Sequence, residues 1–426
     1  MHALLITVGT GGDVFPYIGL GRVLRARGHR VTVVAPGDFE SLAGEHGLEF
    51  RAVVSAAENH EVLSDPNFWH PIKAARVAAR WGMRLVERQY GLLAGLASDE
   101  DAVLVANPGI VAAKIASEKL GRPLANLILQ PWILPSSIAP PVMFGRPFPT
   151  RTPRWALKLF WRLLEGIGDV LVGRDINKVR TSLGLRPVRR FFQNWLSREL
   201  VIGMFPEWYG PPQPDWPPQV KLAGFPMFDG GNGNGLPAGL LEFCRAEAPP
   251  IVFTFGTGMM HAQKLFRDAI EACRLLSTSP DLPGARAIFL TNYTEQLPRT
   301  LPSFVRHYES APFQELFPHC RAVVHHGGVG TTAKALAAGL PQLILPFAFD
   351  QTDNATRVKF LGAGDWIKQS RVNARSMASA LKRLMTPQVR EGCGRLAARF
   401  EKDQAFDLAA EWIEQCAAAH QVTSIR

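Results

Sequence analysis

One pattern occurs twice in this chain and constrains its fold more than any other feature. A short apolar run enters a glycine loop, then a stretch with helical spacing, and the unit restarts after a proline- and glycine-rich interruption. In the first half, Ala3–Val8 leads into GTGGDVFP, a helical pattern from about Pro16 to Arg27, and a second apolar run, Arg30–Ala35. Strand–helix–strand units of this length imply a right-handed crossover and a parallel sheet. Ala102–Ala106 and Leu124–Leu129 extend the series. PPQPDWPP (211–218) and DGGNGNG (229–235) then break it with the composition of a connection. After the break, Ile251–Phe255 enters GTG, and Ala287–Thr291, Ala322–His325 and Gln342–Leu345 alternate with helical patterns. The expected architecture is therefore α/β. Two Rossmann-like parallel-sheet domains (1–205 and 247–400) flank a linker (206–246), and a terminal helical segment (401–426) packs back toward the first domain. Ligands of such sheets gather at the carboxyl ends of the strands, here in a cleft between the two halves.

Composition narrows the function classes. The chain has 426 residues, 47% hydrophobic and 20% charged, which excludes a disordered or fibrous protein. Its five cysteines are odd in number, far apart and never in a C-x-x-C pair, so neither a disulfide framework nor a zinc site is expected. A reducing, cytoplasmic setting fits them. The opening MHALLITVGTGGD has no basic leader, and its apolar run stops at a glycine loop, so it reads as a strand and not a signal peptide. Residues 123–145 carry no charge, yet Pro131, Pro135, Pro140 and Pro141 would break any spanning helix. A buried strand followed by an apolar loop is expected there. The net charge is +10, and residues 146–190 hold eleven Lys/Arg against three acids, so +8 of it sits in one segment. Within it Arg151, Arg154, Lys158 and Arg162 recur at helical spacing, while Trp155, Leu159, Trp161 and Leu163 take other faces. A solvated face, a surface for anionic lipid and a nucleic-acid patch all fit, although no nucleic-acid motif accompanies the charge.

The chemistry concentrates in three places. HHGGVGTT (325–332) follows a strand and precedes a helix, so its glycines and the helix N-terminus can cradle a phosphate, with His326, Thr331 and Thr332 adding donors. A glycine-rich turn with capping threonines has the same spacing. Asp350 and Gln351 set a carboxylate beside an amide, which suits vicinal sugar hydroxyls; Asp350 as a helix cap is the alternative. Asp13 follows Gly11 and Gly12 at the ligand end of the first strand, where a carboxylate can take a proton from an attacking alcohol or cap the helix. Asp99-Glu100-Asp101 is the only D-x-D and reads as solvated charge, so no metal is expected. His29, on the connection to the second strand, reads as structural.

The run Ala311–Asn354, with HHGGVGTT and DQTDN, resembles the donor-binding signature of family 1 nucleotide-sugar glycosyltransferases, which have the GT-B fold. The opening GTGGDVFPYIGLGRVLRARGHRVTVVAP is similar to that family's acceptor side, and PPQPDWPPQVKLAGFPMFDG also looks like a branch member. The branch includes sterol glucosyltransferases, antibiotic aglycone glycosyltransferases and the rhamnosyltransferase B chain of rhamnolipid synthesis. The resemblance implies His326 on the diphosphate with Gly328, Gly330, Thr331 and Thr332 around it, and Asp350 and Gln351 on the sugar. It also implies Thr257 near the phosphates, Phe313 beside the nucleobase and Asp13 as the acceptor's base. Gln130, Trp132 and Phe144 are candidates for the acceptor. Metal-independent inverting transfer of a hexose to a lipophilic hydroxyl follows, with no cofactor, UDP-glucose as first donor and dTDP-rhamnose as second. Rhamnosyl transfer to hydroxyalkanoate lipids and a non-catalytic nucleotide-sugar-binding helper are the alternatives. The expected location is cytoplasmic, with peripheral contact to the anionic inner membrane surface. A dinucleotide oxidoreductase fits less well, because valine replaces the third glycine of G-x-G-x-x-G and the second strand ends in Ala35-Pro36, without a ribose-binding acid.

Overall fold

The structure is a computed structural model and describes residues 1–143, 145–149, 151–231, 235–278, 284–400 and 404–424. Thirteen strands form its two sheets. The first sheet comprises β1 (His2–Ile6), β2 (Arg30–Pro36), β3 (Glu49–Val54), β4 (Ala102–Ala106), β5 (Leu124–Ile128), β6 (Leu200–Gly203) and β7 (Val220–Leu222), in the order β3-β2-β1-β4-β5-β6-β7. The second comprises β8 (Ile251–Thr254), β9 (Ala287–Leu290), β10 (Val305–Tyr308), β11 (Ala322–His325), β12 (Gln342–Ile344) and β13 (Gly364–Trp366), in the order β10-β9-β8-β11-β12-β13. Every pairing is parallel. In both sheets the order reverses beside the first strand, which opens a crevice at its carboxyl end. The helices that matter below are α1 (Gly11–Ala26), α2 (Ala74–Leu96), α3 (Arg154–Gly168), α4 (Val329–Ala337), α5 (Gln351–Phe360) and α6 (Ala405–Ser424).

The central strands read as unbroken apolar runs because helices cover both faces. Every residue of β1, β4 and β5 is buried. The edges were harder to foresee. β7 is a three-residue strand just after the proline-rich stretch, with all three residues at least partly exposed, so it carries no apolar periodicity. Asp215 in that stretch accepts from both hydroxyls of Ser136 and Ser137 at 2.8 and 2.9 Å and from Ser137 N–H at 2.7 Å, pinning the apolar loop after β5.

The terminal helix α6 lies on the first sheet's side. Phe406, Ala409, Ala410 and Ile413 join the core cluster that contains Tyr17, Ile18 and Leu20 of α1. Gly19 makes this crossing possible, since a Cβ there would stand 2.4 Å from Phe406 Cζ. His29 holds Glu414 of α6 at 2.8 Å, and Arg27 holds Asp407 at 2.9 Å. The two halves are also laced behind the cleft. Val142 N–H donates to Asp353 at 2.8 Å, the Tyr209 hydroxyl to Asn354 at 2.9 Å, and Arg357 to the Tyr209 carbonyl at 2.9 Å. The five cysteines are free. Among the described residues no helix is long and apolar enough to cross a membrane.

Candidate active site

Between the sheets lies a cavity of about 1880 Å³, lined by both halves. Its floor is built where the chain leaves β1, β8, β11 and β12. Two helix N-termini, those of α1 and α4, open onto it from opposite sides.

On the first side α1 begins at Gly11, five residues before the expected start at Pro16. Thr10 is the N-cap residue and Asp13 lies in the first turn, so Asp13 is neither a loop residue nor the cap itself. Its Oδ2 reaches back to accept from Thr10 N–H at 2.9 Å and from the Thr10 hydroxyl at 3.3 Å. The carboxylate is half-buried and lines the cavity. Burial raises its pKa above the ordinary aspartate value against the lowering effect of the Thr10 bonds, which makes it a stronger base than a surface aspartate.

Opposite, Gly256 has a φ of +95° and packs so closely that a Cβ would come 3.0 Å from the His326 ring. That turn presents Thr257, whose Oγ1 accepts from Gly11 N–H at 3.1 Å across the cleft. His326 stands beside it, partly reached by solvent, with Nδ1 sealed and unpartnered. Burial lowers its pKa to about 4, so the ring is neutral at pH 7. His325 lies beneath, fully buried: its Nδ1 accepts from Gly327 N–H at 3.1 Å, which leaves the proton on Nε2 for Gln342 Oε1 at 2.9 Å. This ring shapes the loop from behind.

α4 begins at Val329 with Gly328 as its N-cap residue, so Gly330, Thr331 and Thr332 belong to its first turn and not to a preceding loop. Gly328, Gly330 and Thr331 line the cavity. Thr332 does not. It is fully buried under the turn, with its hydroxyl facing the interior, because successive helix positions point about 100° apart.

Asp350 occupies the N-cap position of α5 but makes no capping bond; its Oδ2 accepts from Asn354 Nδ2 at 2.7 Å. It lines the cavity, and burial, with Asp13 as a further contributor, pushes its pKa up to about 7. Gln351 is buried, and its Oε1 is already taken by the N–H groups of Phe347 and Ala348 at 2.8 and 3.2 Å. The side chain thus braces the turn at Phe349, whose φ is +55°, and only its NH₂ end remains for a ligand.

Phe313 lies at the cavity edge, stacked on Phe317 at 4.7 Å. Gln130 and Trp132 line the first side, and the Trp132 indole N–H donates to the Val142 carbonyl at 3.1 Å. Phe144 falls outside the described residues. Asp99 and Asp101 sit at the amino ends of the strands, paired with Arg30 at 3.3 Å and with the N-terminal amine at 3.6 Å, away from the cavity.

Several lining residues had no motif to announce them. Lys334 is buried on α4, donates to the Phe228 carbonyl at 3.2 Å and borders the cavity one turn beyond Gly330. That i, i+4 spacing was the available signal. Ala75, Ala78, Ala79 and Gly82 give α2 a small-residue face on the cavity, with Trp69, Trp81 and Trp161 completing an aromatic wall.

Two family models match the chain: "Glycosyltransferase family 28 N-terminal domain" over residues 3–137 and "Erythromycin biosynthesis protein CIII-like, C-terminal domain" over residues 282–408. The chain has the GT-B fold and is similar in sequence to glycosyltransferases of family 1 in both halves. The sterol 3-beta-glucosyltransferase of Eremothecium gossypii is 28% identical over 90% of this chain but only 31% of its own length, so the chain spans about a third of that relative. Among solved structures, the glycosyltransferase of kitacinnamycin superposes with a TM-score of 0.70 at 19% identity, covering 98% of this chain and 99% of that one. The glycosyltransferase VinC in complex with dTDP gives 0.65 at 18% identity over 98% and 100%. These two share the GT-B fold of parallel sheets facing across a cleft.

Proposed function

We propose that this GT-B chain transfers a hexose from a nucleotide sugar to a hydroxyl of a lipophilic small molecule, with inversion and without a metal. The observation that carries the reading is the meeting of two helix N-termini across one cavity. Asp13 stands on one and His326 beside the other, within a framework closed by the Gly11–Thr257 bond. The half before the proline-rich stretch takes the acceptor, and the half after it takes the donor. In the reaction the acceptor oxygen bonds to the anomeric carbon as the bond from that carbon to the diphosphate breaks. Asp13 receives the hydroxyl proton. The N-terminal N–H groups of α4, Thr331 and a neutral His326 N–H stabilise the departing diphosphate, which removes the need for a metal. Asp350 and the Gln351 NH₂ hold the sugar, and Phe313 sits beside the base.

The cavity is nearly twice the upper size of a typical single-ligand pocket of about 1,000 Å³, as a site for donor and acceptor together requires. Its tryptophan and alanine wall favours an apolar acceptor over a free sugar. UDP-glucose is the proposed donor, in line with the sterol glucosyltransferase relatives. dTDP-rhamnose is the second reading, favoured by the dTDP complex of VinC and by the spinosyn rhamnosyltransferase of like fold. A screen of nucleotide sugars against sterols, hydroxy-fatty acids and polyphenols, read by nucleoside diphosphate release together with glycoside mass, tests this. Acceptor-dependent release from one donor class is expected. Binding without release for every pair would leave a nucleotide-sugar-binding helper instead.

A further inference from the structure

Of the eleven large hydrophobic side chains exposed on the described surface, six lie in one short segment. They are Trp155 (69% exposed), Leu159, Leu163, Ile167, Val170 (79% exposed) and Leu171. The first four belong to α3 and recur every four residues, and the other two lie on the π-helical turn Asp169–Gly173 that continues it. A four-residue step advances about 40° around a helix, so these side chains form one gently winding ridge. The opposite face is engaged: Leu157 and Glu165 are buried, and the Trp161 indole N–H donates to the Ser136 carbonyl at 3.0 Å. Between ridge and buried face runs a third strip, Arg154, Lys158 and Arg162, all exposed, with Arg151 just before the helix. None of these four has an ion-pair partner among the described residues. A monomeric protein rarely shows water so contiguous an apolar surface unless something covers it.

We propose that this ridge docks on a membrane surface containing anionic lipid, and so sets the acceptor side of the cleft against the bilayer. A helix with an apolar ridge and an adjoining basic strip is built to lie in the plane of the headgroups, with its tryptophan at the interface. The basic strip gives charge complementarity to anionic headgroups. It also disfavours a second copy of the chain, which would bring a segment of net +8 against its own image. Geometry connects docking to catalysis. The inner side of the same helix and turn supplies Trp161, Leu164 and Val172 to the cavity wall, so a lipophilic acceptor leaving the bilayer meets the cleft directly. The inference rests on the lipophilic-acceptor reading for its purpose, but its test does not depend on activity.

The experiment is co-sedimentation of the full chain with vesicles of phosphatidylcholine containing about 30% phosphatidylglycerol, an anionic content that gives a strong surface potential. Wild type should partition strongly, and much less onto phosphatidylcholine alone. L159S/L163S/I167S alters residues that neither line the cavity nor enter the core, so its thermal transition should match wild type while its partitioning falls at least tenfold. R151Q/R154Q should lose on the order of fivefold per residue, and the loss should shrink at high salt. Two results would overturn the proposal: equal partitioning of wild type and the triple variant, or a wild-type dimer in sedimentation velocity that the triple variant converts to monomer. Vesicle binding intact in a chain without transferase activity would instead fault the reaction reading and leave the docking surface standing.

Discussion

Asp13→Asn separates chemistry from architecture in this site. Asparagine keeps the side chain's size and an oxygen at the position that accepts from Thr10 N–H at 2.9 Å, and asparagine and aspartate serve comparably at helix N-termini. The lost charge removes a favourable interaction with the helix dipole of about 0.3–1 kcal/mol. A second change runs the other way. Burial raises the Asp13 pKa in the folded state, so the native protein binds more protons than the unfolded chain between the ordinary value of 3.8 and the raised one. Stability contributed by this group therefore falls as pH rises through that window, and the ionised carboxylate is a net cost at pH 7. Removing it offsets the lost dipole interaction. The variant should consequently melt near the wild-type temperature at pH 7, while transfer falls by about 10²–10⁴, the range for loss of a positioned base. The assay pairs steady-state transfer with the donor dissociation constant on the same preparation. Normal donor binding with a large loss of turnover is the expected pair. Turnover within a few-fold of wild type would refute Asp13 as the base, whereas loss of both would indicate that the two halves no longer meet.

The other predictions bear on the donor half. His326→Ala should lower kcat by about 10²–10³, as for one oxyanion donor, with the fold retained because the ring is only partly enclosed; near-normal kcat in a turnover assay would make the histidine a bystander. Asp350, whose pKa burial pushes up to about 7, accepts more strongly from sugar hydroxyls when ionised, so on the proposed reading donor KM should rise as pH falls below about 7. Asp350→Asn should flatten that pH profile and weaken nucleotide sugar more than free nucleoside diphosphate, and an unchanged profile would remove Asp350 from the sugar site. The same raised pKa makes the protein lose stability as pH rises from about 4 to 7, a slope the variant should reduce in thermal melts. If helix N-termini carry the leaving-group charge as proposed, transfer should also survive excess EDTA; a strict need for added magnesium or manganese would contradict this.

Much of the candidate site's geometry was legible because its turns are made by glycines directly after apolar runs. Gly256 and Gly327 have φ near +95°, a region only glycine enters freely, and both stand in the two loops that sequence singled out. What sequence left unresolved is the point where a loop becomes a helix. Gly11, Gly12 and Gly330 have low helix propensity, yet each lies in a first turn, where tertiary packing overrides propensity. That one shift turned Asp13 from loop residue to reciprocal partner of Thr10 and sent Thr332 inward. The loss of Gln351 Oε1 to two backbone donors was also hidden, because the turn it braces is strained at a phenylalanine and not at a glycine. Likewise, no local pattern relates Tyr209 to Asn354, which are 145 residues apart and joined only by the packing of the two halves.

In the proposed reaction one cleft brings a base and a leaving-group site to opposite sides of an anomeric carbon. The most direct measurement is the anomeric configuration of the purified glycoside by proton NMR, compared with that of the nucleotide sugar supplied. Single displacement between Asp13 and the His326 loop predicts inversion, a β-glycoside from an α-linked donor such as UDP-glucose. A product that retains the donor's configuration would contradict it.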